Sequence, residues 1–260
     1  MMTVDFLRSR HSVRSFTPEP LSQEAVRGLK AEITMVNTHE AGMHFELVCD
    51  DPAPFKGFKA SYGMFKGVRN YVAAVVDTSF PDSYERAGYF GQQIVMKAVG
   101  LGLGTCFVGG TYDSSLVKVV LRVDRKVLFM IALGYPAQNR QTVLSSLAMK
   151  MAHRNDKAPD GFYLPQPGYS LSEALAIMPW LGKGLQGLAC APSSLNKQPV
   201  MIKVVEPVGV TGGRQVAASA FVNDPNPKNL VDLGIGKFNF AEAADGVWDW
   251  GNGAQFYPNR

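Results

Sequence analysis

Two rhythms of apolar and polar positions run along the chain. Residues 44–49 (HFELVC) and 70–76 (NYVAAVV) show alternation or short β-rich apolar runs, and both predict strands. A buried strand is predicted over 126–136 (KVLFMIALGYP), closed by Gly134 and Pro136. Residues 21–33 (LSQEAVRGLKAEI) carry the helical rhythm. Ser22 is the candidate cap, with Ala25 where a full capping box would have Glu. The run SYERAGYFGQQIVMKAVGLG predicts a long helix, because Ala87, Phe90, Ile94, Ala98 and Leu101 step by three or four along one face. Between the first two strands, DDPAPFKGFKASYGMFKG reads as a loop rich in Pro, Gly and Lys.

The pattern then restarts. A Pro and Gly cluster over 159–168 predicts a linker. After it, LSEALAIMPWLGKGLQGLACAPSSLNKQPVMIKVVE reads as helix, polar turn and strand, and 214–222 (RQVAASAFV) as a strand. NLVDLGIGKFNFAEAADG reads as a helix with Val231, Ile235, Phe238 and Glu242 on one stripe. Aligning this helix with the one near Tyr84 yields a helix–strand–strand–helix unit twice. The expected organisation is a first half over 1–158 and a second, degenerate half over 159–260.

Composition narrows the function classes. The 260 residues suffice for one large domain or two small ones with a sizeable core. No apolar run reaches the roughly 18 residues of a membrane span. Asp5, Arg8 and Arg10 stand where a signal peptide needs an apolar stretch, so export is not expected. Cys49, Cys106 and Cys190 are an odd number at wide spacings, without a zinc pattern or disulfide framework, which predicts a reducing, cytoplasmic compartment. The net charge of +4 permits an anionic ligand, but no basic surface interleaved with aromatics argues for nucleic acid. His39, His44 and His153 lack metal-ligand spacing, so no metal is expected. No Cys–His or Ser–His–Asp set follows from the residue order, so no catalytic nucleophile is assigned.

Three stretches carry candidate chemistry. FLRSRHSVRSF brings Arg8, Arg10 and Arg14 within seven residues, interleaved with Ser9, His11, Ser12 and Ser15. If it is extended, Arg10, Ser12 and Arg14 share one side, and guanidinium forks with a hydroxyl suit a phosphate. A solvated arm is the other reading. GLGLGTCFVGG is neither a dinucleotide fingerprint nor a P-loop, since Phe107 and Gly110-Thr111 break the two patterns. It fits a helix C-cap, a short strand and a Gly-Gly that admits a flat ligand to backbone amides, or simply a tight turn. APSSLNKQPV sets Ser193, Ser194, Asn196 and Gln198 between Pro192 and Pro199, and fits either a ligand-binding turn or a turn satisfying its own backbone.

Together these stretches resemble the nitroreductase superfamily of FMN proteins. The order of the motifs, one set split across two copies, resembles single-chain tandem nitroreductases whose halves form a pseudo-dimer. The resemblance spans about Phe6 to Ala244. It implies an α+β nitroreductase-like fold of two halves, each a small, mostly antiparallel sheet flanked by helices. It implies one FMN per chain, in a cleft between halves packed through their long helices. Arg10, His11, Ser12 and Arg14 would hold the phosphate and the polar ring edge. Val108, Gly109 and Gly110 would offer backbone donors to the flavin edge. Ser193, Ser194 and Asn196 would contact it from the second half, and Arg154 and Lys157 would supply later basic contacts. The implied activity is hydride transfer from NAD(P)H and reduction of a quinone, nitroaromatic or similar electron-poor acceptor, with the flavin rather than a catalytic side chain carrying the chemistry. With its partner built in, a monomer or a weak homo-oligomer is expected.

The departures from the family pattern shape a rival. The second half lacks an Arg-Ser-Arg start and a Gly-Leu-Gly turn, and the first half lacks a Ser-Ser-x-Asn turn. Val200 stands where many relatives have tryptophan after Gln-Pro. A flavin-binding protein without turnover, acting as store, sensor or regulatory subunit, is therefore the alternative. An empty scaffold is a third reading.

Overall fold

In a computed structural model, residues 1–56, 63–119, 124–137, 156–206 and 216–259 are described. Their contacts divide the chain into two compact units, Ser9–Arg154 and Met1–Arg8 with Asn155–Arg260.

The Ser9–Arg154 unit begins its regular structure with helix α2 (Gln23–His39), which follows the short α1 (Val4–Ser9) of the other unit. Ser22 caps α2, its hydroxyl accepting the Ala25 N–H at 3.1 Å. The helix outruns the predicted 33 because Val36 continues the buried stripe of Ala25, Leu29 and Ile33. Strand β1 (Met43–Val48) follows, tied to α2 by Asn37, whose amide both donates to and accepts from the Phe45 backbone at 2.8 Å. Strand β2 (Asn70–Asp77) comes next, then helix α3 (Ser83–Gly100), β3 (Gly104–Val108) and β4 (Arg125–Gly134). The sheet order is β1-β2-β4-β3, antiparallel throughout. Strand β2 is paired on both edges, and all but Asp77 of it is buried, which explains its unbroken apolar run. On α3 the predicted face is buried at Ala87, Phe90, Ile94 and Ala98, and Leu101 becomes the cap.

The other unit holds α4 (Leu171–Ile177), α5 (Leu181–Ala189), β5 (Met201–Val205), β6 (Ala217–Phe221), α6 (Pro227–Ala244), β7 (Gly246–Trp248) and β8 (Phe256–Pro258). A capping box starts α4: Ser170 Oγ accepts the Glu173 N–H, and the Glu173 carboxylate accepts the Ser170 N–H. Helices α5 and α6 pack closely across glycine; a Cβ at Gly187 would stand 2.4 Å from the Asn239 carbonyl oxygen. Trp180, Phe240, Trp248 and Phe256 form an aromatic core beside them. The predicted stripe on α6 is too narrow, because the helix is buried almost all round, Asp232, Lys237 and Asn239 included. The 159–168 stretch is not an open linker. Phe162, Tyr163 and Tyr169 are buried, and the Leu164 N–H donates to the Ile202 carbonyl at 2.8 Å. Residues 246–258, which show no clear periodicity, form the β7–β8 hairpin.

The first unit thus runs helix, strand, strand, helix, strand, strand from α2 on, and the second runs in the same order from α5 on, after the additional short helix α4. The pairing repeats as well. Strand β6 pairs with β5, and it meets the start of β8 through a Ser219–Gln255 antiparallel bridge, as β2 pairs with both β1 and β4. Helices α3 and α6 are each 18 residues long. Both units are α+β with antiparallel sheets, as expected.

Candidate functional site

In the Ser9–Arg154 unit, the opening arginine segment is an ordered extended strand. Ser12 bridges to Thr105 in parallel, and the Val13 N–H donates to the Thr105 carbonyl at 2.8 Å, so the segment lies along the free edge of β3. Val13 enters the apolar core and Ser15, two residues on, is buried as well, which sets Arg10, Ser12 and Arg14 on the alternate side; Phe16 also reaches the core and lies outside this alternation. Gly104 makes room for this: a Cβ there would lie 2.7 Å from Val13 Cγ2. Arg10 Nη1 lies 3.5 Å from Ser12 Oγ. Both guanidiniums and the Ser12 hydroxyl act on Cys106. Burial pushes this thiol up, against the pull of Arg14, Arg10 and the Ser12 hydrogen bond. Arg10 and Ser12 are thus within hydrogen-bond reach of each other, and the charges of Arg10 and Arg14 both act on the same buried thiol. Arg14 Nη1 is buried without an acceptor among the described residues. His11 is exposed, its Nδ1 3.3 Å from the Ser9 carbonyl oxygen.

The glycine-rich stretch does three jobs. Gly102, at φ +77°, ends α3, and the Leu103 N–H returns to the Ala98 carbonyl at 3.0 Å. Residues 104–108 form β3, in which Val108 is buried. Gly109 and Gly110 then lie exposed, and neither has positive φ. A Cβ on either would meet nothing within 4 Å among the described residues, so their packing does not require glycine there. The open space lies over backbone.

In the other unit, Ser193, Ser194 and Asn196 sit on a turn between α5 and β5. The Ser194 N–H donates to both carboxylate oxygens of Asp232, on α6, at 3.0 Å each. Ser193 Oγ accepts the Gln198 N–H at 2.9 Å, and Asn196 Nδ2 donates to Asp156 at 2.6 Å. Leu195, Asn196 and Gln198 all have positive φ, and Leu195 is 83% exposed. Lys157 supports the turn from behind. Its N–H donates to Gln198 Oε1 at 2.9 Å and its ammonium to the Gln198 carbonyl at 2.8 Å. Burial holds the Lys157 ammonium below its ordinary pKa. Asp232 lines a small hollow with Phe162, Leu188, Ser193, Gln198 and Val200. Burial pushes its carboxyl up to about 7, against the Ser194 N–H and the Lys197 charge.

The profile of the family described as "Putative TM nitroreductase" matches residues 3–244. The chain belongs to this family. A solved putative nitroreductase from Thermotoga maritima shares the nitroreductase fold with a TM-score of 0.59 at 20% identity, over 98% of this chain and 92% of that one. A putative nitroreductase in complex with FMN from Desulfovibrio desulfuricans aligns at TM-score 0.42 and 22% identity, over 56% of this chain and 95% of that one. An FMN-dependent nitroreductase from Clostridium difficile aligns at 0.42 and 19%, over 60% and 100%. No curated protein matches the chain.

Within this nitroreductase, the expected site residues form two groups, one in each unit. Arg10, Ser12 and Arg14 share one extended segment, Val108 ends the neighbouring strand with Gly109 and Gly110 just after it, and Lys157, Ser193, Ser194 and Asn196 meet at the turn. Arg154 lies outside the described residues. Residue patterns alone missed Asp232, a polar position beside the apolar stripe of α6. They also missed Lys66, an exposed cation whose backbone N–H donates to the Arg14 carbonyl at 2.9 Å. Its signal was the adjoining Gly67, at φ +73°, where a Cβ would stand 2.4 Å from the Phe16 carbonyl oxygen.

Proposed function

We propose that this nitroreductase binds one FMN and passes electrons from NAD(P)H to a quinone, nitroaromatic or similar electron-poor acceptor. The observation that carries this reading is the gathering of Arg10, Ser12 and Arg14 on one short extended segment, with an Arg14 guanidinium nitrogen buried and without an acceptor among the described residues, beside the edge strand that leads into open glycines. Two guanidiniums and a hydroxyl match a phosphate in charge and geometry. A buried cationic donor without an acceptor is costly, and an anionic ligand removes the cost.

Arg10, Ser12 and Arg14 bind the phosphate and the polar edge of the ring, with His11 at the margin. Val108, Gly109 and Gly110 present backbone donors, and the missing side chains let a planar group approach. Ser193, Ser194 and Asn196 add hydroxyl, amide and backbone contacts, and Lys157 and Arg154 add positive charge. When bound, FMN supplies the two-electron chemistry, while the chain orients it and shields it from water. The repeated order of elements supports reading the units as degenerate copies that act as a built-in pair. A single chain is then the working unit, in the cytoplasm.

The visible absorption spectrum of the purified protein tests this, before and after anaerobic NADH and then NADPH. Flavin bands that bleach are the expected result. Bands that persist under both donors would replace turnover with storage or sensing. No flavin, even after FMN is added, would overturn the reading.

A further inference from the structure

The Ser193–Gln198 turn adopts backbone that its own residues do not favour. Leu195 at φ 52°, Asn196 at 53° and Gln198 at 49° are left-handed without being glycine. The exposed Leu195 side chain offers little packing to offset this. The surroundings must therefore impose the conformation. Lys157 and Asp156 grip the later part of the turn, through Gln198 and Asn196. The Ser194 end is gripped by Asp232, which is 4% exposed and one helical turn before Gly236 on α6. Gly236 is small for a reason on the same face: a Cβ there would lie 2.8 Å from Leu188 Cδ1 and 3.2 Å from Val200 Cγ2.

We infer that Asp232 is a positioning residue, whose buried oxygens accept the Ser194 N–H and so hold the turn in the left-handed form that presents Ser193, Ser194 and Asn196. What the turn requires at 232 is an acceptor and not a charge. The hollow around it is largely apolar, lined by Phe162, Leu188 and Val200, and such walls solvate a carboxylate poorly. An amide oxygen in the same place makes the same bond without that cost. The link from the turn to the cofactor rests on the flavin reading above.

The test is amide hydrogen exchange in the ligand-free protein, with FMN affinity measured alongside. Asp232→Asn is the rescue, and Asp232→Ala and Asp232→Val are removals that differ in volume, so a cavity is separated from a lost acceptor. Both removals should speed exchange at Ser194 about tenfold or more, the loss expected when a buried donor is left without its acceptor. Exchange in α3 should stay unchanged, and Asp232→Asn should match the wild type at Ser194. FMN affinity should fall with the removals and hold with Asn. Unchanged Ser194 exchange in the removals would overturn the inference, and so would an Asn variant as loose as Ala. If exchange follows the expectation while Ser193→Ala and Asn196→Ala also leave FMN affinity unmoved, Asp232's hold on the turn stands and the flavin reading of the turn falls.

Discussion

Replacing Asp232 by Asn should stabilise the protein on the alkaline side and change the slope of stability against pH. The carboxyl sits at about 7 in the fold, against an ordinary 3.8, because burial outweighs the Ser194 N–H and Lys197. A raised carboxyl pKa means that the folded chain keeps a proton the unfolded chain has released. Stability therefore falls as pH climbs from the unfolded value to the folded one, and levels off above it. A gap of about three pH units at about 1.4 kcal/mol each amounts to about 4 kcal/mol. The side chain is almost fully buried, so solvent screening takes little from that figure. Asn retains an acceptor for Ser194 and carries no charge. The assay is urea unfolding followed by tryptophan fluorescence. Trp180, Trp248 and Trp250 all lie in the unit that carries Asp232. The quantity to read is the unfolding free energy of the variant minus that of the wild type, in which the titrations of the other groups cancel. It should move in the variant's favour by about 2 to 3 kcal/mol between about pH 5 and pH 8, with most of the change below pH 7. Parallel curves over that range would show that Asp232 ionises normally, and the account of its burial would be wrong.

Three further outcomes follow from the same geometry. Arg10→Ala and Arg14→Ala should each weaken FMN binding by about 1.5 to 3 kcal/mol, read by flavin fluorescence titration, and unchanged affinity in both would remove the phosphate assignment. Gly110→Val should leave the ligand-free melting temperature close to wild type, since a Cβ there meets nothing, yet impair FMN binding. Gly104→Val should instead destabilise the fold by about 1 to 3 kcal/mol through its clash with Val13, and equal melting temperatures for the two would refute the distinction. Lys237→Ala should cost about 2 to 3 kcal/mol in urea unfolding, because the buried ammonium's hydrogen bonds to the carbonyls of Asp249 and Gly251 would be lost.

The parts of the fold legible in the sequence were those with one dominant cause. The apolar run of 70–76 had to be a doubly paired strand, and the stripe through Ala87, Phe90, Ile94 and Ala98 had to be a buried helix face. Alternation in the opening segment was also readable, because Val13 needs the core and so turns Arg10, Ser12 and Arg14 the other way, although Phe16 breaks the alternation to reach the core. Local pattern failed where tertiary contacts decide. The Pro and Gly of 159–168 suggested a free linker, but Phe162, Tyr163 and Tyr169 supply the apolar area that packs it. The β7–β8 hairpin has strands of three residues, too short for a period to show. Asp232 was hidden because a buried carboxylate on a helix breaks the pattern that marks the buried face, and its partner, the Ser194 N–H, is backbone.

The repeated topology gives the split of the motifs a physical meaning. Between α2 and β1 the first unit has a bare connection over 40–42, while the equivalent connection of the second, between α5 and β5, carries the Ser193–Gln198 turn. After β3 the first unit has the open Gly109–Gly110, while the second, after β7, has a hairpin with the Lys237 ammonium bonded to its carbonyls. That ammonium closes the second unit's hairpin from within, where the first unit leaves backbone open. Gaining a ligand edge there would require giving up a buried cation's acceptors. The two units thus differ at both positions: the turn is found in one and the open glycines in the other. A second flavin site would need a second such turn and a second open glycine pair, which is why one FMN per chain is proposed rather than two.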